Sequence, residues 1–287
     1  MATLYEEVRN ALRESEFRLK KRLGQNFLIH QNVIESTVRL LDLSAEDEVV
    51  EIGPGFGFLT RRLIEEARRV WAVEVDPGLV HWLRQTSLSS HPAFQLIHGD
   101  ILEVRPDDFL PPRKVKLVGN LPYSISTPVL FRLFDWRAHF SLLVLMVQKE
   151  VADRIASGPG TKSYGTLSVW CQAHGRIAEK LAVSPEAFFP RPKVRSTILK
   201  IQLYPEPLVP VEELTLLRGL VRSAFAQRRK TLGNALRVWL KQDREKIDEF
   251  LRSEGIDPSR RGETLDLKEF RRLTHALKVR SWVPAES

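Results

Sequence analysis

The sequence predicts an α/β fold: a largely parallel sheet with helical crossovers, followed by a small all-helical C-terminal domain. Three observations carry that prediction. Short apolar runs alternate with amphipathic stretches from about residue 48 to residue 157, the order that parallel strands joined by helices require. A glycine-rich turn, Gly53-Pro54-Gly55-Phe56-Gly57, separates the first of these runs from the first crossover. From Val211 onward the periodicity is helical and no strand pattern returns.

Strands are predicted at 48–52, 70–74, 94–97, 115–118 and 142–147, each an apolar run too short for a helix. Helices fall between them at 31–41, 59–67, 77–86, 127–134 and 148–156, and 164–173 can continue as a helix. Beyond these, 177–183 and 196–204 read as strands flanking a proline-rich loop, and neighbours in sequence pair antiparallel most easily. Pro205-Glu206-Pro207-Leu208-Val209-Pro210 breaks regular structure and reads as a linker. The division predicted is therefore 1–205, with a helical extension over about 1–22, and 206–287.

Bulk properties narrow the class. Forty-four basic against 36 acidic residues give a net charge of +8, which favours a polyanionic partner. The longest apolar run, 142–147, is far short of a membrane span. The N-terminus carries Glu6, Glu7, Glu14 and Glu16 with no apolar core, so it does not read as a signal peptide. Cys171 is the only cysteine, which excludes an internal disulfide and a cysteine-cluster metal site. The seven histidines are scattered. The expectation is a cytoplasmic monomer with no membrane association and no bound metal.

The glycine turn is the first candidate site. Gly53, Gly55 and Gly57 let the backbone turn sharply and approach a ligand near a helix N-terminus. A dinucleotide fold more typically shows G-x-G-x-x-G closing on a pyrophosphate; here the spacing is G-x-G-x-G, which suits a cofactor without phosphates, S-adenosylmethionine. The second strand ends in Glu74-Val75-Asp76, with Glu74 falling 21 residues after Gly53, where a ribose-binding acid is expected. Either carboxylate can serve, and Glu74 at the strand end is better placed. After the third strand, in Gly99-Asp100-Ile101, Asp100 can accept a hydrogen bond from an adenine amine.

The fourth strand ends in Asn120-Leu121-Pro122-Tyr123. This places an amide, a stiff turn and an aromatic ring together, a set that suits a flat heterocycle bearing an exocyclic amine. That amine is a poor nucleophile because its lone pair is delocalised into the ring. The Asn120 oxygen and a backbone carbonyl can each accept one amine hydrogen and favour the pyramidal nitrogen of the transition state. Pro122 has no N–H to compete, and Tyr123 can stack on the base.

These motifs resemble the small-subunit ribosomal RNA adenine dimethyltransferases, the KsgA/RsmA family. The resemblance also rests on Gly24-Gln25-Asn26-Phe27-Leu28, Gln148-Lys149-Glu150-Val151, Tyr164-Gly165-Thr166-Leu167-Ser168-Val169, Ala187-Phe188-Phe189-Pro190-Arg191-Pro192-Lys193-Val194 and Ala224-Phe225-Ala226-Gln227-Arg228-Arg229-Lys230-Thr231. It implies a seven-stranded, Rossmann-like S-adenosylmethionine-dependent methyltransferase sheet over 1–205 and a helical rRNA-binding domain over 206–287. It implies methylation at N6 of two adjacent adenines in the 3′-terminal hairpin loop of 16S rRNA, within an immature small subunit. By the same resemblance the cofactor is held by Asn26, Leu28, Gly53, Glu74, Asp100 and Asn120, and the neighbouring Gln25, Gly55, Gly57 and Ile101 complete the candidate cofactor set. The target base meets Asn120, Leu121, Pro122 and Tyr123, with Phe188 as a second stacking ring. The alternatives are an Erm-type enzyme of large-subunit rRNA, disfavoured by Leu121 and by 164–169, and a cofactor-binding assembly or transcription factor without catalysis.

Two departures from the family pattern stand out. His30 replaces a common acid, and Arg191 and Arg195 add positive charge beside the presumed base pocket. Three basic groups are candidates for RNA: Lys20, Lys21 and Arg22; Arg191, Lys193 and Arg195; and Arg222, Arg228, Arg229 and Lys230. The last belongs to a stretch, 214–242, with seven basic residues and no acid.

Overall fold

The structure, a computed structural model, describes residues 3–14, 19–20, 23–227 and 229–282. The chain divides into two units, the first formed by Met1–Ala152 and Arg176–Leu203, the second by Asp153–Gly175 and Tyr204–Ser287.

In the first unit the strands are β1 (Phe27–Leu28), β2 (Glu48–Ile52), β3 (Arg69–Glu74), β4 (Phe94–His98), β5 (Val115–Asn120), β6 (Phe140–Gln148), β7 (Gly175–Val183), β8 (Phe188–Phe189) and β9 (Ser196–Leu203). Seven of them form one sheet in the order β4-β3-β2-β5-β6-β9-β7. The pairs β2–β3, β3–β4, β2–β5 and β5–β6 are parallel, and β9 joins β6 antiparallel. Arg176 bonds Gln202 and Glu179 bonds Lys200, so numbers fall along β9 as they rise along β7, the sense of an antiparallel pair. β1 and β8 pair separately, Leu28 opposite Phe188.

Parallel strands need cover on both faces, and β2 accordingly has all five residues buried. The helices between strands are α2 (Gln31–Leu40), α3 (Phe58–Glu66), α4 (Pro77–Gln85) and α5 (Ser126–Asp135), α6 (Lys149–Ala156) begins in this unit and ends in the second, and α1 (Leu4–Glu14) adds Val8 and Ala11 to the core. Each fully buried aliphatic side chain such as Val49, Leu63 or Val144 contributes about 1.5–3 kcal/mol. The sheet order reverses between β2 and β5. Ligands in open α/β sheets lie at such a reversal, beyond the carboxyl ends of the strands.

The second unit holds α7 (Thr166–His174), α8 (Leu214–Ala226), α9 (Leu232–Leu240), α10 (Arg244–Ser253) and α11 (Leu267–Val279). Leu217, Leu236, Phe250 and Leu273 are fully buried. Residues 153–175, which fall before the sequence boundary at 205, cluster with these helices instead of the sheet. The physical reason is Tyr164, whose fully buried ring meets Phe225 edge-on at 5.6 Å. Among the described residues, no helix is long and apolar enough to cross a membrane.

Candidate active site

The parallel registers bring four strand ends together. Ile52 lies opposite Gly119, so Gly53 and Asn120 leave the sheet side by side. Glu74 lies opposite His98, and its carbonyl accepts the Gly99 N–H at 3.0 Å, which sets Asp100 next to Glu74. Between these ends is a cavity of about 210 Å³, lined by Gln25, Asn26, Leu28, Gly53, Gly55, Glu74, Asp100, Ile101 and Asn120 to Tyr123. Gly57 and Phe188 are not among its lining residues.

Asn120 is the last residue of β5, and its amide nitrogen donates to the Asn26 carbonyl at 2.8 Å. Only a donor can face a carbonyl, so the nitrogen's place is fixed and the oxygen is the atom left for a ligand. The turn after it is tied down at each step: the Leu121 N–H donates to the Met146 carbonyl at 3.0 Å, and the Ile125 N–H to the Pro122 carbonyl at 3.1 Å. Tyr123 is half-buried, its hydroxyl 2.7 Å from Ser196 Oγ in β9. Burial raises the Tyr123 pKa, with the Ser196 contact opposing, so the phenol stays neutral.

The acids divide by role. Glu74 is 5% exposed and accepts the Asp76 N–H at 2.9 Å and the Gly55 N–H at 3.3 Å, which leaves lone pairs on both oxygens. Burial pushes its pKa up to about 7. Asp100 gives one oxygen to the Leu102 N–H at 2.9 Å. Asp76, the other carboxylate left open by sequence, is taken: it caps α4 through the Gly78 N–H and accepts Lys20 Nζ at 2.6 Å and Gln25 Nε2 at 2.7 Å. Glu51, which sequence reading passed over, also lines the cavity, accepts Thr60 Oγ1 at 2.6 Å and is pushed up to about 7 by burial. Its one signal is its place two residues before Gly53, the first glycine of the turn. Val75, 42% exposed between the two carboxylates, and Met146 of β6 also line the cavity without having been foreseen.

Several expected residues are placed differently. The Gln25 amide is occupied at both ends, by Asp76 and by the Lys20 N–H at 2.8 Å, so its polar atoms are turned away from a cofactor. Gly57 serves as the left-handed N-cap of α3, with φ +82°. Phe188 is 3% exposed in the core, its backbone paired with Leu28, and does not form a second wall of the cavity. His30 stands at the N-cap of α2 and makes no side-chain cap hydrogen bond.

The basic candidates also separate. Lys20 is drawn inward to Asp76. Arg191 is exposed but ion-paired with Glu186, while Lys193 and Arg195 are exposed. Arg222, Arg229 and Lys230 are exposed in the second unit. Lys21, Arg22 and Arg228 lie outside the described residues.

The cavity fits S-adenosylmethionine on chemical grounds. Among the described residues its lining holds Glu51, Glu74 and Asp100 but no lysine, arginine or histidine, a poor setting for a pyrophosphate and a good one for a cation with ribose hydroxyls and an adenine amine. A Cβ built on Gly53, where φ is +67°, would meet nothing within 4 Å, so the turn presents open backbone to a ligand.

Comparison with known proteins agrees. The family described as ribosomal RNA adenine dimethylase matches residues 16–276. Ribosomal RNA small subunit methyltransferase A of Alkaliphilus metalliredigens is 43% identical over 92% of this chain and 94% of that protein. Its namesake in Geobacter metallireducens is 44% identical over 93% and 98%. Among solved structures, the 23S rRNA methyltransferase ErmE is 28% identical, with a TM-score of 0.65 over 88% of this chain and 100% of that one. A dimethyladenosine transferase from Plasmodium falciparum, at 23% identity and a TM-score of 0.73 over 88% and 97%, shares the fold.

Proposed function

The chain belongs to the ribosomal RNA adenine dimethylase family, and on that premise we propose that it methylates N6 of two adjacent adenines in the 3′-terminal hairpin loop of 16S rRNA. It is an S-adenosylmethionine-dependent methyltransferase of ribosomal RNA. We propose further that it works as a cytoplasmic monomer on an immature small subunit. Relatives named for the small subunit are 43% and 44% identical, against 28% for the large-subunit enzyme, which supports the choice of subunit.

One observation carries the site reading: the Asn120 amide is oriented by Asn26, with its oxygen left beside a cavity that has, among the described residues, three carboxylates and no cationic side chain. Glu74, Asp100, Gly53 and the segment of Asn26 and Leu28 would hold the cofactor, which when bound supplies an electrophilic methyl group on a sulfonium. Asn120 Oδ1 accepts a hydrogen bond from the target amine, holding the nitrogen toward its pyramidal, nucleophilic form. Tyr123, tethered to Ser196, offers its ring face to the base. An amide oxygen is not basic enough to take the amine proton, which passes to water, so these residues contribute orientation more than proton transfer. The exposed Arg222, Arg229 and Lys230, with Lys193 and Arg195, contact phosphates and offset the few kcal/mol of extruding the base.

The test is incubation with labelled cofactor and undermethylated small subunits, and separately with naked large-subunit rRNA, followed by mapping of the modified nucleoside by mass spectrometry. Dimethyladenosine in the small-subunit hairpin is expected. Transfer to large-subunit rRNA alone would reassign the substrate, and no transfer to either would favour a binding factor without catalysis.

A further inference from the structure

α11 buries Phe270, Leu273, Thr274 and Leu277 and turns Lys268, Arg271, Arg272, His275 and Lys278 outward. Their spacing keeps these five on one face of the helix, where they line a groove of about 600 Å³ together with Glu212 and Glu213. The acids are committed at one end. Glu213, 2% exposed, lies 3.1 Å from His275 Nδ1 and accepts Lys278 Nζ at 3.3 Å, and Glu212 accepts Lys278 Nζ at 3.4 Å. At the other end, Lys268, Arg271 and Arg272 enter none of the ion pairs among the described residues, although, after the larger effect of Arg260, the charge of Arg272 helps to hold the Glu269 carboxyl below its usual pKa. Glu269, the acid nearest to them in sequence, is gripped by both terminal nitrogens of Arg260, at 2.5 and 3.0 Å. Along the groove lining four fixed cations thus face two carboxylates, a surplus of two, concentrated at the end away from Glu212 and Glu213.

We propose that this groove binds the phosphodiester backbone of folded RNA, as a contact separate from Arg222, Arg229 and Lys230. It rests on the reading that the substrate is ribosomal RNA. Two arginine forks one helical step apart match phosphate oxygens bidentately. From Lys268 to Lys278 the stripe is about 15 Å long, enough to follow several phosphates along one strand. Glu213 fixes the headgroups of His275 and Lys278 against the groove wall, so that end is ordered before RNA arrives. A bilayer is a poorer occupant, because the four apolar side chains of α11 named above are buried and only charge is left to offer.

The test uses the full chain with Lys268→Gln, Arg271→Gln and Arg272→Gln combined, and transcribed small-subunit rRNA as the probe. Binding is measured at several salt concentrations. The expected result is a slope of log K against log salt shallower by about two, with a roughly tenfold or greater loss of affinity near physiological salt. The charge-keeping variant Lys268→Arg, Arg271→Lys, Arg272→Lys should retain the slope, and methyl transfer to a short hairpin oligonucleotide should keep its kcat in both. An unchanged slope in the neutral variant overturns the proposal. So does loss of binding to anionic phosphatidylserine vesicles with RNA binding intact. Because the slope is read from binding alone, it reports on the groove even if methyl transfer to rRNA fails.

Discussion

The ammonium of Lys20 lies 2.6 Å from a carboxylate oxygen of Asp76, a side chain with no exposed surface. Asp76 also holds Gln25, so one buried acid ties residues 20 and 25 to the end of β3 and leaves 26–28 against the cofactor cavity. Lys20→Met keeps most of the aliphatic stem and strands the Asp76 charge. With Lys20 31% exposed, the loss expected is about 1–3 kcal/mol of stability, less than for a fully buried pair, together with weaker cofactor binding. Denaturant unfolding and calorimetric titration of S-adenosylhomocysteine check this. A normal stability with a shallower RNA salt slope would instead make Lys20 a phosphate contact.

Glu51 and Glu74 should make the ligand-free protein less stable as pH rises. Both carboxyls are pushed from 4.5 up to about 7, chiefly by burial. Between those values the folded protein binds more protons than the unfolded chain, so unfolding free energy falls with rising pH across about pH 4.5 to 7. A hydroxyl donated to ionised Glu74 favours the charged form, so cofactor affinity should rise over the upper part of the same window. Melting temperatures from pH 5 to 8 test the first statement. Glu74→Gln should weaken binding and flatten its pH dependence, and a slope that persists in that variant would move the effect to Glu51.

Two glycines of one turn should fail in different ways. A Cβ at Gly55 would come within 2.9 Å of the Phe27 ring, while one at Gly53 meets only open space on the cavity side. Both sit at positive φ, which costs a substituted alanine on the order of 1–2 kcal/mol. Gly55→Ala should therefore lose more stability than Gly53→Ala, and Gly53→Ala should raise the KM for cofactor by at least tenfold. Equal losses of stability and unchanged KM would contradict the assignment of Gly53 to the ligand-facing backbone.

Asn120→Ala should reduce kcat by at least about a hundredfold while affinity for RNA stays within a few-fold. Asn120→Asp should do no better, since a carboxylate facing the Asn26 carbonyl has no proton to donate. Single-turnover kinetics on a hairpin oligonucleotide measure the first effect and filter binding the second. Near-normal turnover in either variant would end the amine-orienting role.

The sheet was legible because each strand is a short apolar run and each helix keeps its period; 48–52 was read to the residue. The carboxyl-end carboxylates followed from the same reading, since Glu74 ends β3 and Asp100 lies two residues past the end of β4. β1 and β8 escaped it because two residues carry no periodicity, and their pairing joins positions 160 residues apart. Lys20 reads as an exposed charge until its partner 56 residues away is known. Phe188 fits a stacking ring by motif and a core ring by composition, and only packing separates the two. Residues 153–175 went with the wrong neighbour in sequence because Tyr164 finds Phe225 only in three dimensions.

The pairing of Ile52 with Gly119 makes the sheet a ruler. Each residue along a strand advances about 3.3 Å, longer than a hydrogen bond, so one residue inserted or deleted within β5 would carry Asn120 out of reach of its substrate. The gap between the glycine turn and the amine-holding amide is thus graduated by main-chain rungs and not by adjustable side chains. Retargeting such an enzyme to another RNA would then be a matter of altering its outer surfaces, with the graduation left untouched.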